Sequence, residues 1–128
     1  MLPASSKPTG AELAILRVLW VSGPATVRDV HHELCRTQKT GYTTILKLLQ
    51  IMTGKGLVTR DETERAHVYQ AVSSEERTQQ GLIADLLDKA FGGSAQKLVL
   101  RALSTRTASQ EELAEIRRLL DELEGEPR

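Results

Sequence analysis

The hydrophobic period changes once in the first half of this chain, and that change limits the available folds more than any other feature. Up to Met52 the apolar residues recur at helical spacing. Ile45, Leu48, Leu49 and Met52 fall at i, i+3, i+4 and i+7, the inward stripe of a helix packed on a core. Gly54 and Gly56 close that stripe. Leu57-Val58-Thr59-Arg60 and His67-Val68-Tyr69-Gln70 then flank the polar run Asp61-Glu62-Thr63-Glu64-Arg65, the pattern of a β-hairpin. Two helices are expected before the stripe. Thr9-Gly10-Ala11-Glu12 has capping-box spacing, and Leu13, Leu16, Leu19 and Trp20 follow as an apolar stripe ending at Ser22-Gly23-Pro24. Thr26 caps a second helix, with Asp29 three residues on and Val27, Val30 and Leu34 on one face. The third begins near Thr40 or Gly41. Three helices followed by a hairpin describe a winged helix-turn-helix over residues 9–72, after a mobile tail over residues 1–8.

From Ser73 onward the pattern is helical again. One segment runs from about Ser74 to Phe91 and is broken by Gly92-Gly93. A second spans Ala95 to Ser104, and a third is capped by Ser109 with Glu112 at its third position. That last helix aligns Leu113, Ile116, Leu120 and Leu123, too much apolar surface to leave in water at about 25 cal/mol per Å². It can fold back on its own winged domain or meet a second copy of the chain. With 40% hydrophobic but only 3% aromatic residues, the core must come from Leu, Val, Ile and Ala, which favours helices. The expected fold is mainly α with a small β-hairpin wing. Residues 73–125 form a separate helical region.

The chain has no net charge, but the charge is unevenly placed. Residues 1–72 hold nine Lys/Arg and six Asp/Glu, whereas residues 73–128 hold eight and eleven. A basic front and an acidic back suit a partner that carries phosphates, since a local patch matters more than the total. With the third helix's stripe turned inward, a wheel of about 100° per residue puts Thr40, Thr43, Lys47 and Gln50 on the opposite face. Thr44 sits at its edge and Tyr42 near the helix start. Small hydroxyls permit close approach to a major groove, Gln pairs with a base edge, and Lys reaches a guanine or a phosphate. These six residues are the candidates for reading bases in double-stranded DNA. Lys39, Lys55, Arg60, Arg65 and His67 flank the helix or belong to the hairpin, and are the candidates for the DNA backbone. A merely solvated polar face remains the alternative.

Gly41-Tyr42-Thr43-Thr44-Ile45-Leu46-Lys47-Leu48-Leu49-Gln50-Ile51-Met52, followed by Lys55-Gly56-Leu57-Val58, resembles the recognition-helix signature of bacterial penicillinase repressors, the BlaI/MecI type. Glu12-Leu13 through Leu19-Trp20, His67-Val68-Tyr69 and Phe91-Gly92-Gly93-Ser94 resemble the family's first helix, second wing strand and C-terminal turn. The likeness runs from Thr9 to Leu123. It implies a homodimer on an inverted-repeat operator, repressing a promoter, with residues from about 74 to 123 as the dimerisation element. A sensor protease that relieves repression is the family's inducing partner, and the inducing signal for this chain stays open. In penicillinase repressors induction involves a membrane sensor protease and cleavage at an Asn–Phe bond in the dimerisation region. This chain has no asparagine, and Arg101-Ala102 stands at the corresponding place. The copper-responsive, CopY-type branch carries a C-terminal cysteine cluster, whereas the single cysteine here is Cys35.

Catalysis finds little to work with. The three histidines are His31, His32 and His67, and the first two are neighbours pointing about 100° apart on a helix. A helical His31/Cys35 pair supplies two metal ligands without a third. There is no phosphate-cradling glycine loop and no nucleophile elbow, so neither enzyme, metal site nor cofactor is expected. Cys35 is expected as a small buried or half-buried residue. No apolar run approaches the roughly 18 residues of a membrane span, and no basic start leads into an apolar stretch, so a cytoplasmic protein is expected. Two other uses of the fold stay open. One is a protein-interaction module without a DNA role, and the other is a small-molecule-sensing winged-helix regulator.

Overall fold

The computed structural model describes residues 7–125, so most of the tail expected over residues 1–8 lies outside the described residues. The element order is α1 (Gly10–Ser22), β1 (Ala25–Thr26), α2 (Val27–Leu34), α3 (Tyr42–Lys55), β2 (Val58–Asp61), β3 (Val68–Ala71), α4 (Glu75–Ala90), α5 (Ala95–Thr105) and α6 (Gln110–Leu123). The chain divides into two compact units, one up to Ile83 and one from Ala84, and the division falls inside α4.

In the first unit three helices pack beside a small antiparallel sheet of order β1-β3-β2. β3 is central, pairing Ala25 with Tyr69 on one side and Arg60 with the same Tyr69 on the other. The two-residue β1 lies where the sequence shows only a helix cap, because two residues are too few to display a strand period. The core consists of Ile15, Leu16, Leu19, Ala25, Val27, Val30, Leu34, Ile45, Leu49, Met52, Val58 and Tyr69. Each large aliphatic side chain among these contributes about 1.5–3 kcal/mol through its removal from water. α2 and α3 bury the expected faces, except that Leu48 is only half-buried. On α1 the buried face is Glu12, Ile15, Leu16 and Leu19, while Leu13 and Trp20 are half-buried. The apolar stripe expected there is displaced because the buried face begins with a glutamate, which hydropathy alone assigns to solvent.

Capping explains the helix starts. Thr9 with Glu12, Thr26 with Asp29, and Ser109 with Glu112 each form a reciprocal box of two side-chain hydrogen bonds. Gly56 ends α3 at φ 81°, a left-handed conformation that turns the chain sharply into β2.

The second unit is a different kind of object. Gly92 and Gly93, both at positive φ, turn α4 into α5. Among the described residues, none in α4, α5 or α6 is buried. No helix among them is long and apolar enough to cross a membrane.

Candidate nucleic-acid interface

α3 is anchored through Ile45, Leu49 and Met52, each 0% exposed. That anchorage turns Tyr42, Thr43, Lys47 and Gln50 outward, and all four are exposed. Thr43, Lys47 and Gln50 stand at i, i+4 and i+7, one face of the helix. Thr40, half-buried, and Thr44 line a cleft of about 340 Å³ with Ala14, Leu34 and Leu48, at the margin of that face. Lys39 is exposed in the turn before the helix.

The start of α3 is unlike the other helix starts. α1, α2 and α6 have capping boxes, Ser94 caps α5, and the Ser74 hydroxyl accepts the Arg77 amide at the start of α4. Gly41 gives α3 no side-chain cap, and its first turn holds no acid. The partial positive charge of that helix end and its free amides are therefore available to an anion. The turn into α3 is held from α2. The His31 ring meets Tyr42 edge-on with centroids 5.8 Å apart. Cys35 Sγ lies 3.4 Å from His31 Nε2 and donates to the Thr40 carbonyl at 3.4 Å. Cys35 is exposed, not buried as expected, because it caps the C-terminal end of α2, where its side chain reaches the turn and not the core. Among the described residues no group of three or more His, Cys, Asp or Glu is placed to hold a metal.

The basic residues are not equivalent. Lys55 Nζ lies 2.7 Å from Glu12 Oε1, whose side chain is 3% exposed, so this half-buried ammonium is paired with a buried carboxylate. Glu12 also accepts from the Thr9 amide at 2.9 Å. Burial pushes its carboxyl up, but the Lys55 hydrogen bond, the Thr9 amide and the Lys55 charge pull harder and leave it below its ordinary value. Sequence reading sees Glu12 as a cap alone; nothing in it joins positions 43 residues apart. Arg60 bonds to Tyr69 and to Glu62, which lies 2.6 Å from its Nη2, and both keep the guanidinium protonated above its ordinary range. Asp61 accepts the amide and hydroxyl of Thr63, which shapes the wing turn and lowers its pKa. Arg65 is exposed in the wing and His67 is half-buried beside β3.

In the second unit, Leu113 and Ile116 of α6 are half-buried, and Leu120 and Leu123 are 53% and 72% exposed. Leu119 of α6 and Val99, Leu100 and Leu103 of α5 are exposed as well. The sequence stripe omits those four, although 116, 119, 120 and 123 also follow helical spacing.

The profile described as "Penicillinase repressor" matches residues 8–122. The chain belongs to the penicillinase-repressor family. It is 34% identical over 115 residues to the transcriptional regulator BlaI of Mycobacterium tuberculosis, covering 89% of this chain and 83% of that protein. Over 112 residues it is 26% identical to the penicillinase repressor of Bacillus licheniformis, covering 88% of each. It is 21% identical to the methicillin resistance regulatory protein MecI of Staphylococcus aureus over 88% of this chain and 92% of that one. A MarR family protein from Bacillus stearothermophilus shares the fold, with a TM-score of 0.50 at 22% identity over 92% of this chain and 74% of that chain. Penicillinase-repressor relatives are transcriptional repressors and not enzymes, so the winged helix here belongs to a transcriptional repressor.

Proposed function

We propose that this repressor binds an inverted-repeat operator in double-stranded DNA as a homodimer, with α3 as the helix that reads the major groove. The outward face of Tyr42, Thr43, Lys47 and Gln50, on a helix whose start carries no side-chain cap, is the observation that carries this reading. Thr40 and Thr44 approach the same groove from its edge. A phosphate at the start of α3 would take up the free amides. Lys39, Arg65 and His67 contact the DNA backbone. Arg60 does so while held by Tyr69 and Glu62, and Lys55 does so from its ion pair with Glu12.

The second unit holds two copies together. Leu120, Leu123, Leu119, Val99, Leu100 and Leu103 leave an apolar surface that a single chain does not cover. Leu113 and Ile116 extend it inward. The dimerisation region, residues 73–125, takes in this unit and the first part of α4 before it, and the protein works in the cytoplasm without a membrane partner. A sensor protease that relieves repression would act on a bond other than Asn–Phe; Arg101-Ala102, which falls in that position, lies within α5.

Selection of random duplexes on the purified protein, with sedimentation in parallel, tests this. A two-fold symmetric site bound by a dimer, with affinity falling steeply as salt rises, is expected. Weak sequence-independent binding, or binding indifferent to salt, overturns it in favour of a protein-interaction module.

A further inference from the structure

The connection from the wing to α4 is short, and its residues are tied one after another. Val72 donates its amide to the Leu57 carbonyl at 3.0 Å, continuing the β2–β3 ladder past its last pair, Val58 with Ala71. The Ser73 carbonyl accepts the indole N–H of Trp20 at 2.9 Å. Ser74 caps α4 by accepting the Arg77 amide at 3.1 Å, and its carbonyl takes the Thr78 amide. Of these ties only the Trp20 bond comes from a side chain of another element. Trp20 stands in the last turn of α1, beside Leu19 in the core, so its ring is a fixed donor.

We propose that Trp20 is a positioning residue for operator spacing. By holding the Ser73 carbonyl it fixes the root of α4 and so narrows the range of half-site separations a dimer accepts. This rests on the dimeric reading above. Once one recognition helix is docked, the second binds as an intramolecular event, and its effective concentration at a given separation depends on how narrowly the connecting geometry is distributed. A firm root concentrates that distribution on one spacing, whereas a loose root spreads it. One hydrogen bond of this kind changes such a population by about fivefold.

The test uses the half-site recovered by selection. Duplexes carry one half-site alone, two at the selected spacing, or two with one base pair added or removed, which rotates the second site by about 35°. Trp20→Phe keeps the ring and removes the donor. A second variant, with two glycines inserted between Ser73 and Ser74, keeps the Trp20 bond and loosens the chain after it. Affinity for the single half-site should stay within about twofold of wild type for both variants. On the selected spacing Trp20→Phe should bind about fivefold more weakly, and its penalty for an altered spacing should shrink by a similar factor. The insertion should flatten the spacing profile further.

A Trp20→Phe profile that superimposes on the wild-type one overturns the proposal. Equal losses on single and paired half-sites also overturn it, because the tryptophan would then support the reading unit itself. Should Trp20→Phe fail to fold, a sharp profile in the glycine variant overturns it on its own. Wild-type protein that binds paired half-sites no better than single ones overturns the dimeric reading instead, and that outcome is visible before either variant is made.

Discussion

Glu12 joins two jobs that the chain keeps far apart in sequence. Its carboxylate closes the capping box of α1 and holds Lys55 at the end of α3, so one buried side chain ties the first helix to the third. Glu12→Gln keeps the shape and a hydrogen-bonding group but loses the charge, and should cost about 1–2 kcal/mol at neutral pH, measured by urea unfolding. The folded-state pKa is depressed, so this stabilisation is complete above the unfolded value and fades as pH falls through the folded one. The gap between wild type and variant should therefore close in acid, and a gap constant with pH would refute the ion pair's role. At the DNA surface, Lys47→Ala should cost about 1–3 kcal/mol on the selected site and relax one base position, without loss of helicity. Arg65→Ala should weaken binding on all sequences alike and flatten the salt dependence, because it is expected to touch phosphate only. Competition titrations against specific and scrambled duplexes separate the two.

At the scale of elements, what could be read from the sequence depended on how local its cause was. The caps at Thr9, Thr26 and Ser109 and the stripe of α3 were legible because each involves residues within two turns of one another. The outward face of α3 followed from that stripe by geometry. The bonds of Glu12 with Lys55, Trp20 with Ser73 and Arg60 with Tyr69 were not legible, since they join residues brought together only by the finished fold. Cys35 was misjudged for a related reason: cysteines are often buried on average, but this one falls where α2 ends. α6 offers the clearest element-level prediction. Leu120→Asp should give monomers by sedimentation with the winged unit still folded, because position 120 is 53% exposed in the single chain. DNA affinity should drop with dimerisation, by about a hundredfold or more. A variant that sediments as wild type would remove α6 from the dimer.

For the whole molecule, the two units differ in what stabilises them. Among the described residues the twelve buried hydrophobic ones all lie between Ile15 and Tyr69, and α5 and α6 bury none. Thermal unfolding followed by circular dichroism should therefore show two transitions. The transition of the winged unit should be independent of protein concentration, and that of the second unit should move upward as concentration rises. A single transition that ignores concentration would contradict the division. A coreless second unit also ties folding to abundance. When two chains must meet before either C-terminal half is stable, the population able to clamp both half-sites grows with the square of the chain concentration at low levels. On the dimeric reading proposed above, halving the supply of this protein would remove about three quarters of the species that holds both half-sites.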